Sequence, residues 1–236
     1  MKPELIIIGA GLGAESMTLE GLNALKTAEV VLFDRLVHED TLKLIPESAV
    51  KESVGKHPYS RNCIRQDDIN SVINKYLTEG RRVVRLKGGD STLFARSLEE
   101  AEEAARCGAS CRIIPGVTSA STLASKITRA LTDRRSVSGC VFITGHLKDG
   151  KCEHNWKALA ELGMTIVIYM GVRNGRHIAD ELIKNGMRPE TSAVVGSRLE
   201  SVDEKICVTT LACLGDVLET GEYPHPSTII IGNPVG

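Results

Sequence analysis

Leu5-Ile6-Ile7-Ile8-Gly9-Ala10-Gly11-Leu12-Gly13-Ala14 opens the chain with four large apolar residues running straight into a glycine-rich turn. A continuous rather than alternating apolar run belongs to a strand covered on both faces, and glycine lets the backbone turn tightly beside a ligand. A helical pattern begins near Thr18. Strand, glycine turn and helix in that order begin a βαβ unit. Read as G-x-G-x-x-A, with Asp34 about 20 residues beyond it, the loop fits a dinucleotide fingerprint. An NAD-dependent oxidoreductase is therefore one candidate.

The same rhythm continues outward from this stretch. Strands are expected at 5–8, 30–33, 50–54, 82–86 and 111–114, and again at 140–144, 165–170, 192–195, 205–209 and 227–231. Ile69, Val72, Ile73, Tyr76 and Leu77 recur at helical spacing on one face of a helix ending at Gly80. Ser97-Leu98-Glu99-Glu100 reads as a capping box opening a helix that closes near Cys107-Gly108. Ten strands are many for one sheet. Pro115-Gly116-Val117-Thr118-Ser119 falls near the middle of the run. The expectation is an α/β fold of two lobes, 1–115 and 116–236, with mainly parallel sheets and a ligand cleft between them.

Composition excludes several classes. Of 236 residues, 29 are Lys or Arg and 30 Asp or Glu, for a formal charge of −1. Sequence-independent nucleic-acid binding needs a large basic excess, and 3% aromatics are too few for base stacking. The first apolar run, four residues long, is too short for a signal peptide or a membrane span. The seven cysteines are scattered without a C-x-x-C pair, as expected of reduced cytoplasmic thiols. Their spacings to histidine match no common zinc pattern, so no metal site is expected.

Glycine turns recur at other strand ends. Arg85-Leu86-Lys87-Gly88-Gly89-Asp90 closes the fourth strand, Pro115-Gly116-Val117-Thr118-Ser119-Ala120 follows the fifth, and Tyr169-Met170-Gly171 the seventh. Open α/β sheets bind ligands at strand carboxyl ends. One extended dinucleotide does not need so many such turns in both halves, whereas a compact folded ligand can use them all.

These motifs, with Leu32-Phe33-Asp34-Arg35-Leu36-Val37, Val54-Gly55-Lys56 and Thr144-Gly145-His146, resemble those of the tetrapyrrole methylases from Leu5 to Val235. Within that family, the Asp-Arg-Leu-Val and Lys-Gly-Gly-Asp stretches point to members that C-methylate uroporphyrinogen III to precorrin-2. The resemblance implies a cytoplasmic homodimeric methyltransferase of sirohaem and cobalamin-type porphyrin biosynthesis. It uses S-adenosyl-L-methionine and releases S-adenosyl-L-homocysteine. All residues would be consumed by the two lobes, leaving none for an appended oxidase or chelatase domain.

Residue by residue, the resemblance implies cofactor contacts from Leu12, Gly88, Gly89, Asp90, Leu93, Thr118, Ser119 and Met170. It implies Asp34 as proton acceptor and Lys56 as proton donor, with Arg35 beside them. Met170 is by itself as much a core residue as an adenine wall. A carboxylate-rich macrocycle needs cations, for which Arg35, Lys56, His57, Arg61, Arg85, Arg129, Arg134 and Arg135 are candidates. The sequence departs from the family pattern at Leu12 and Ser91, where proline is usual, and at Ala130-Leu131-Thr132-Asp133-Arg134, where Pro-Leu-Thr-His-Arg is typical. A diverged methylase with another carboxylate-rich macrocycle, or a degenerate cofactor-binding module, are the remaining readings.

Overall fold

All ten expected strands form, within two or three residues of the expected ends, in a computed structural model that describes residues 3–55, 66–146 and 154–232. The chain divides into two units, Met1–Thr118 and Ser119–Gly236.

The first unit runs β1 (Glu4–Gly9), α1 (Leu19–Leu25), β2 (Val30–Phe33), α2 (Glu39–Leu42), β3 (Val50–Ser53), α3 (Gln66–Thr78), β4 (Arg82–Lys87), α4 (Ser97–Arg106) and β5 (Ser110–Ile114). Its strands lie in the order β3-β2-β4-β1-β5, every pair parallel. The unbroken apolar runs are explained by helices on both faces. Ile6, Ile8, Val31, Val84 and Leu86 pack with Ala24 and Leu25 of α1. Leu5, Ile7, Leu32 and Val83 pack on the opposite face with Ile69, Ile73, Tyr76 and Leu77 of α3 and Ala104 of α4. Each fully buried Ile or Leu contributes on the order of 1.5–3 kcal/mol.

Helix starts follow local chemistry in one case and tertiary packing in another. Thr18 caps α1, its hydroxyl accepting the Gly21 amide at 3.1 Å. The capping box expected at Ser97 and Glu100 does not form. The cap position is Arg96, in a left-handed conformation, while the Ser97 hydroxyl donates to the Ser91 carbonyl. Glu100 is fully buried and faces two cations of β4. A buried charge requires a counter-charge, and that requirement outweighs a helix cap.

The second unit runs α5 (Ser119–Lys126), β6 (Cys140–Thr144), α6 (Trp156–Glu161), β7 (Thr165–Tyr169), α7 (Gly175–Lys184), β8 (Ser192–Ser197), β9 (Lys205–Thr210), α8 (Leu211–Glu219) and β10 (Ser227–Ile231). Its sheet is mixed, in the order β6-β7-β10-β8-β9. β6 and β7 are parallel, and the other neighbours antiparallel. The link from Arg198 to Glu204 is too short for a parallel crossover, so β8 and β9 form a hairpin. One face of this sheet packs Ile166, Ile168, Val195 and Ile229 against Trp156, Ile178, Leu182 and Leu214 of α6, α7 and α8. On α5, Leu123 packs so closely over Gly196 that a Cβ there would stand 2.6 Å from it. Among the described residues, no helix is long and apolar enough to cross a membrane.

Candidate functional site

Strand order sets the site. β4, β1 and β5 are adjacent and parallel, so the glycine turns after them emerge side by side at one edge of the first sheet. Past the strand ends, the Ala10 amide donates to the Lys87 carbonyl at 2.8 Å. Gly11 and Gly89 then exchange backbone hydrogen bonds. Gly9 and Gly116 meet backbone to backbone, since a Cβ on Gly116 would stand 2.5 Å from the carbonyl oxygens of both Gly9 and Gly89.

Asp90 ties the third turn in. Its Oδ2 accepts the Gly116 amide at 3.0 Å, and its Oδ1 accepts the Thr92 amide at 2.7 Å and the Thr92 hydroxyl. Leu12 is half-buried, its amide donating to Ser16 Oγ at 2.8 Å. Leu93 is half-buried, next to Phe94 in a left-handed backbone. Thr118 closes the first unit, half-buried.

Beside these turns stands the end of β2, the next strand over from β4. A Cβ on Gly88 would lie 2.4 Å from Leu36 Cβ, which brings the turn after β2 against the turn after β4. Asp34 Oδ1 accepts the Leu36 amide at 2.9 Å, and Asp34 Oδ2 lies 3.6 Å from Arg85 Nη2. Arg35 is exposed, and its backbone and stem lie close against Gly55. Lys56, His57 and Arg61 lie outside the described residues.

Arg85, expected among the substrate cations, is buried. It occupies the middle of β4 between Ile7 and Leu32, pointing toward α4. Its Nε donates to Glu100 Oε1 at 3.1 Å and its Nη1 to the Leu86 carbonyl at 2.6 Å. Two residues on, Lys87 lies on the same face, its Nζ 2.8 Å from Glu100 Oε2. Burial, with Arg85 adding to it, holds the Lys87 ammonium below the usual lysine range, although Glu100 pulls the other way. The cue was present in Val83-Val84-Arg85-Leu86-Lys87: charges inside an unbroken apolar strand must meet a buried partner. Glu100 was hidden because its spacing from Ser97 also fits a cap.

The second unit carries the remaining expected residues. Met170 follows β7 in a left-handed backbone, 43% exposed, and so is not a core residue. The Ser119 hydroxyl is hydrogen-bonded to that of Thr228 on β10 at 2.6 Å. Arg129 and Arg134 are exposed, while Arg135 forks onto Asp133 at 2.7 and 3.1 Å.

The dinucleotide reading of the first turn does not survive this geometry. A short 3₁₀ turn, Ala14–Ser16, separates the glycines from α1, which begins at Leu19. No helix N-terminus stands directly behind the loop to receive a pyrophosphate.

Comparison with known proteins agrees. The family model for tetrapyrrole (corrin/porphyrin) methylases matches residues 4–215. The siroheme synthase of Methylococcus capsulatus is 38% identical over 98% of this chain and 49% of its own length, and that of Escherichia coli O139:H28 is 37% identical over the whole chain and 51% of its own. The chain thus spans about half the length of the curated relatives it matches. A uroporphyrin-III C-methyltransferase from Thermus thermophilus, crystallised with S-adenosyl homocysteine, superposes with a TM-score of 0.81 at 31% identity, covering 98% of this chain and 93% of that one. A cobalt precorrin-4 methyltransferase superposes at 0.88 with 25% identity, covering 100% and 97%. The chain therefore belongs to the tetrapyrrole (corrin/porphyrin) methylases and is an S-adenosylmethionine-dependent methyltransferase.

Proposed function

We propose that this protein methylates two ring carbons of uroporphyrinogen III to give precorrin-2, as a cytoplasmic homodimer. The observation that carries the reading is the gathering of the turns after β1, β4 and β5 beside Asp34. The likeness to the Thermus enzyme supports the choice of substrate.

The residues suit an adenosyl ligand. Gly89 has a left-handed backbone, and a Cβ added there meets nothing within 4 Å, so this turn presents open main chain to a visitor. Leu12, Gly88, Gly89, Asp90, Leu93, Thr118, Ser119 and Met170 are the residues assigned to hold it. When bound, S-adenosylmethionine supplies an electrophilic methyl group on its sulfonium. Asp34 Oδ2 is then the acceptor for the proton that the ring system gives up, with Oδ1 anchored on Leu36. Arg35 is the cation assigned to a substrate carboxylate, and Lys56 the proton donor. The strand-tip residues contribute by fixing orientation and excluding water.

Anaerobic incubation with uroporphyrinogen III and S-adenosylmethionine tests the reading. A gain of two methyl groups by mass supports it. The higher TM-score to a cobalt precorrin-4 methyltransferase favours a second reading, a different carboxylate-rich macrocycle. Tight S-adenosylhomocysteine binding without any mass gain selects that one. Asp34→Asn is expected to keep the affinity for S-adenosylhomocysteine and slow turnover. Equal loss of both makes Asp34 a structural residue.

A further inference from the structure

We propose that Arg85 is a positioning residue for the Asp34 carboxylate, and that buried Glu100 holds it there. The inference rests on Asp34 being the proton acceptor. Arg85 has one reason to be where it is that the fold does not supply. An arginine in the middle of an all-parallel strand, flanked by Ile7 and Leu32, is costly to bury, and a leucine would fill the same face.

Its donors are distributed rather than spent on one partner. Nε goes to Glu100 and Nη1 to the Leu86 carbonyl, which leaves Nη2 facing Asp34 Oδ2 at 3.6 Å. The guanidinium is planar, so fixing two of its nitrogens fixes the third. Asp34 is thereby hydrogen-bonded at Oδ1 by the Leu36 amide and ion-paired across 3.6 Å at Oδ2 with Arg85.

Charge balance points the same way. Arg85 and Lys87 bring two positive charges below the turn, and Glu100 brings one negative charge. Asp34, on the exposed side, completes neutrality. A proton accepted by Asp34 leaves this group with one excess positive charge, and the part-exposed carboxyl gives that proton a route to solvent. Among the charged groups around Asp34, Arg85 of β4 is paired with it, Lys87 of the same strand acts on it electrostatically, Glu100 of α4 stands behind both, and Arg35 is next in the chain.

Arg85→Gln tests the proposal, because it leaves Lys87 and Glu100 as a balanced buried pair. In the anaerobic methylation assay kcat is expected to fall about 10- to 100-fold, the range seen when a reacting group loses its alignment. S-adenosylhomocysteine affinity and the KM for uroporphyrinogen III should each stay within about twofold, so that the loss is confined to kcat. Introduced into Asp34→Asn, Arg85→Gln should slow turnover no further, since the group it acts through is already gone. The same cycle with Arg85→Lys, which keeps the buried charge, replaces it if Arg85→Gln does not fold. Additive losses in the double variant, or a KM for uroporphyrinogen III that rises as kcat falls, overturn the inference while leaving Asp34 as acceptor. An Asp34→Asn enzyme with wild-type kcat overturns the reading beneath it and the inference as well.

Discussion

The Gly89 amide donates to the Gly11 carbonyl at 2.7 Å and the Gly11 amide to the Gly89 carbonyl at 3.1 Å, with both residues at positive φ. This antiparallel bridge lies past the ends of the parallel strands β1 and β4, where amides and carbonyls would otherwise be left unpaired. It also separates the glycines needed for folding from those that face open space.

Gly116 and Gly89 should therefore respond differently to alanine. Gly116→Ala places a methyl group 2.5 Å from two carbonyl oxygens of backbone that cannot move aside. It is expected to cost about 3 kcal/mol in denaturant unfolding. Gly89→Ala meets no atom, and its left-handed backbone costs about 1 kcal/mol. Its larger effect is expected in isothermal titration, as weakened S-adenosylhomocysteine binding. A Gly89→Ala protein with unchanged affinity would remove this turn from the cofactor site.

Glu100 and Glu99 are adjacent glutamates in the first turn of α4, and both pair with arginine. Glu100→Ala removes the carboxylate shared by two buried cations, Arg85 and Lys87, and leaves the part-exposed Asp34 facing Arg85 alone, so it should destabilise by about 3–5 kcal/mol. Glu99→Ala removes an exposed pair with Arg96, at 2.6 and 2.7 Å, and should cost less than about 1 kcal/mol. Urea midpoints of the two variants check the contrast. Equal losses would mean that the buried charges are compensated from elsewhere.

Lys87 makes a prediction about pH. Its ammonium is held below the ordinary lysine value of 10.5 by burial. As pH rises toward 10.5, the folded protein releases this proton before the unfolded one does. The unfolded state then binds more protons, so folding is favoured as pH increases. The stability of the wild type relative to Lys87→Met should accordingly rise from neutral pH toward 10.5. Chemical denaturation of both proteins across that range measures the slope, and a falling difference would contradict the burial account.

Met170, assigned to the cofactor, can be tested by itself. A left-handed backbone disfavours methionine and tolerates asparagine, and the side chain is 43% exposed. Met170→Asn should change stability by less than about 0.5 kcal/mol, as surface substitutions do. If Met170 walls the adenine, S-adenosylhomocysteine binding weakens about tenfold, the equivalent of about 1.4 kcal/mol. Unaltered binding would make its conformation a property of the β7 turn alone.

Much of the first unit could be read from the sequence. Runs such as Leu5–Ile8 are short, apolar and unbroken, which a strand covered on both faces requires, and Gly9, Gly11, Gly88 and Gly89 punctuate their ends. The second unit was less legible. Strand position along the sequence is a local property, but strand direction depends on what crosses back. The short link after β8 was the available cue for its antiparallel partner.

What the sequence determined by itself is which residues are strand, which are turn, and that charges stand inside β4. Those properties arise from side-chain hydrophobicity, glycine's freedom and the expense of burying a charge, each local to a few residues. Tertiary structure decided who answers those charges. Glu100 could cap a helix or neutralise Arg85, and Arg85 could reach a substrate or hold Asp34. The choice follows from α4 packing over β5 and β1, which brings Glu100 within reach of the β4 side chains, a contact between segments that no spacing along the sequence encodes.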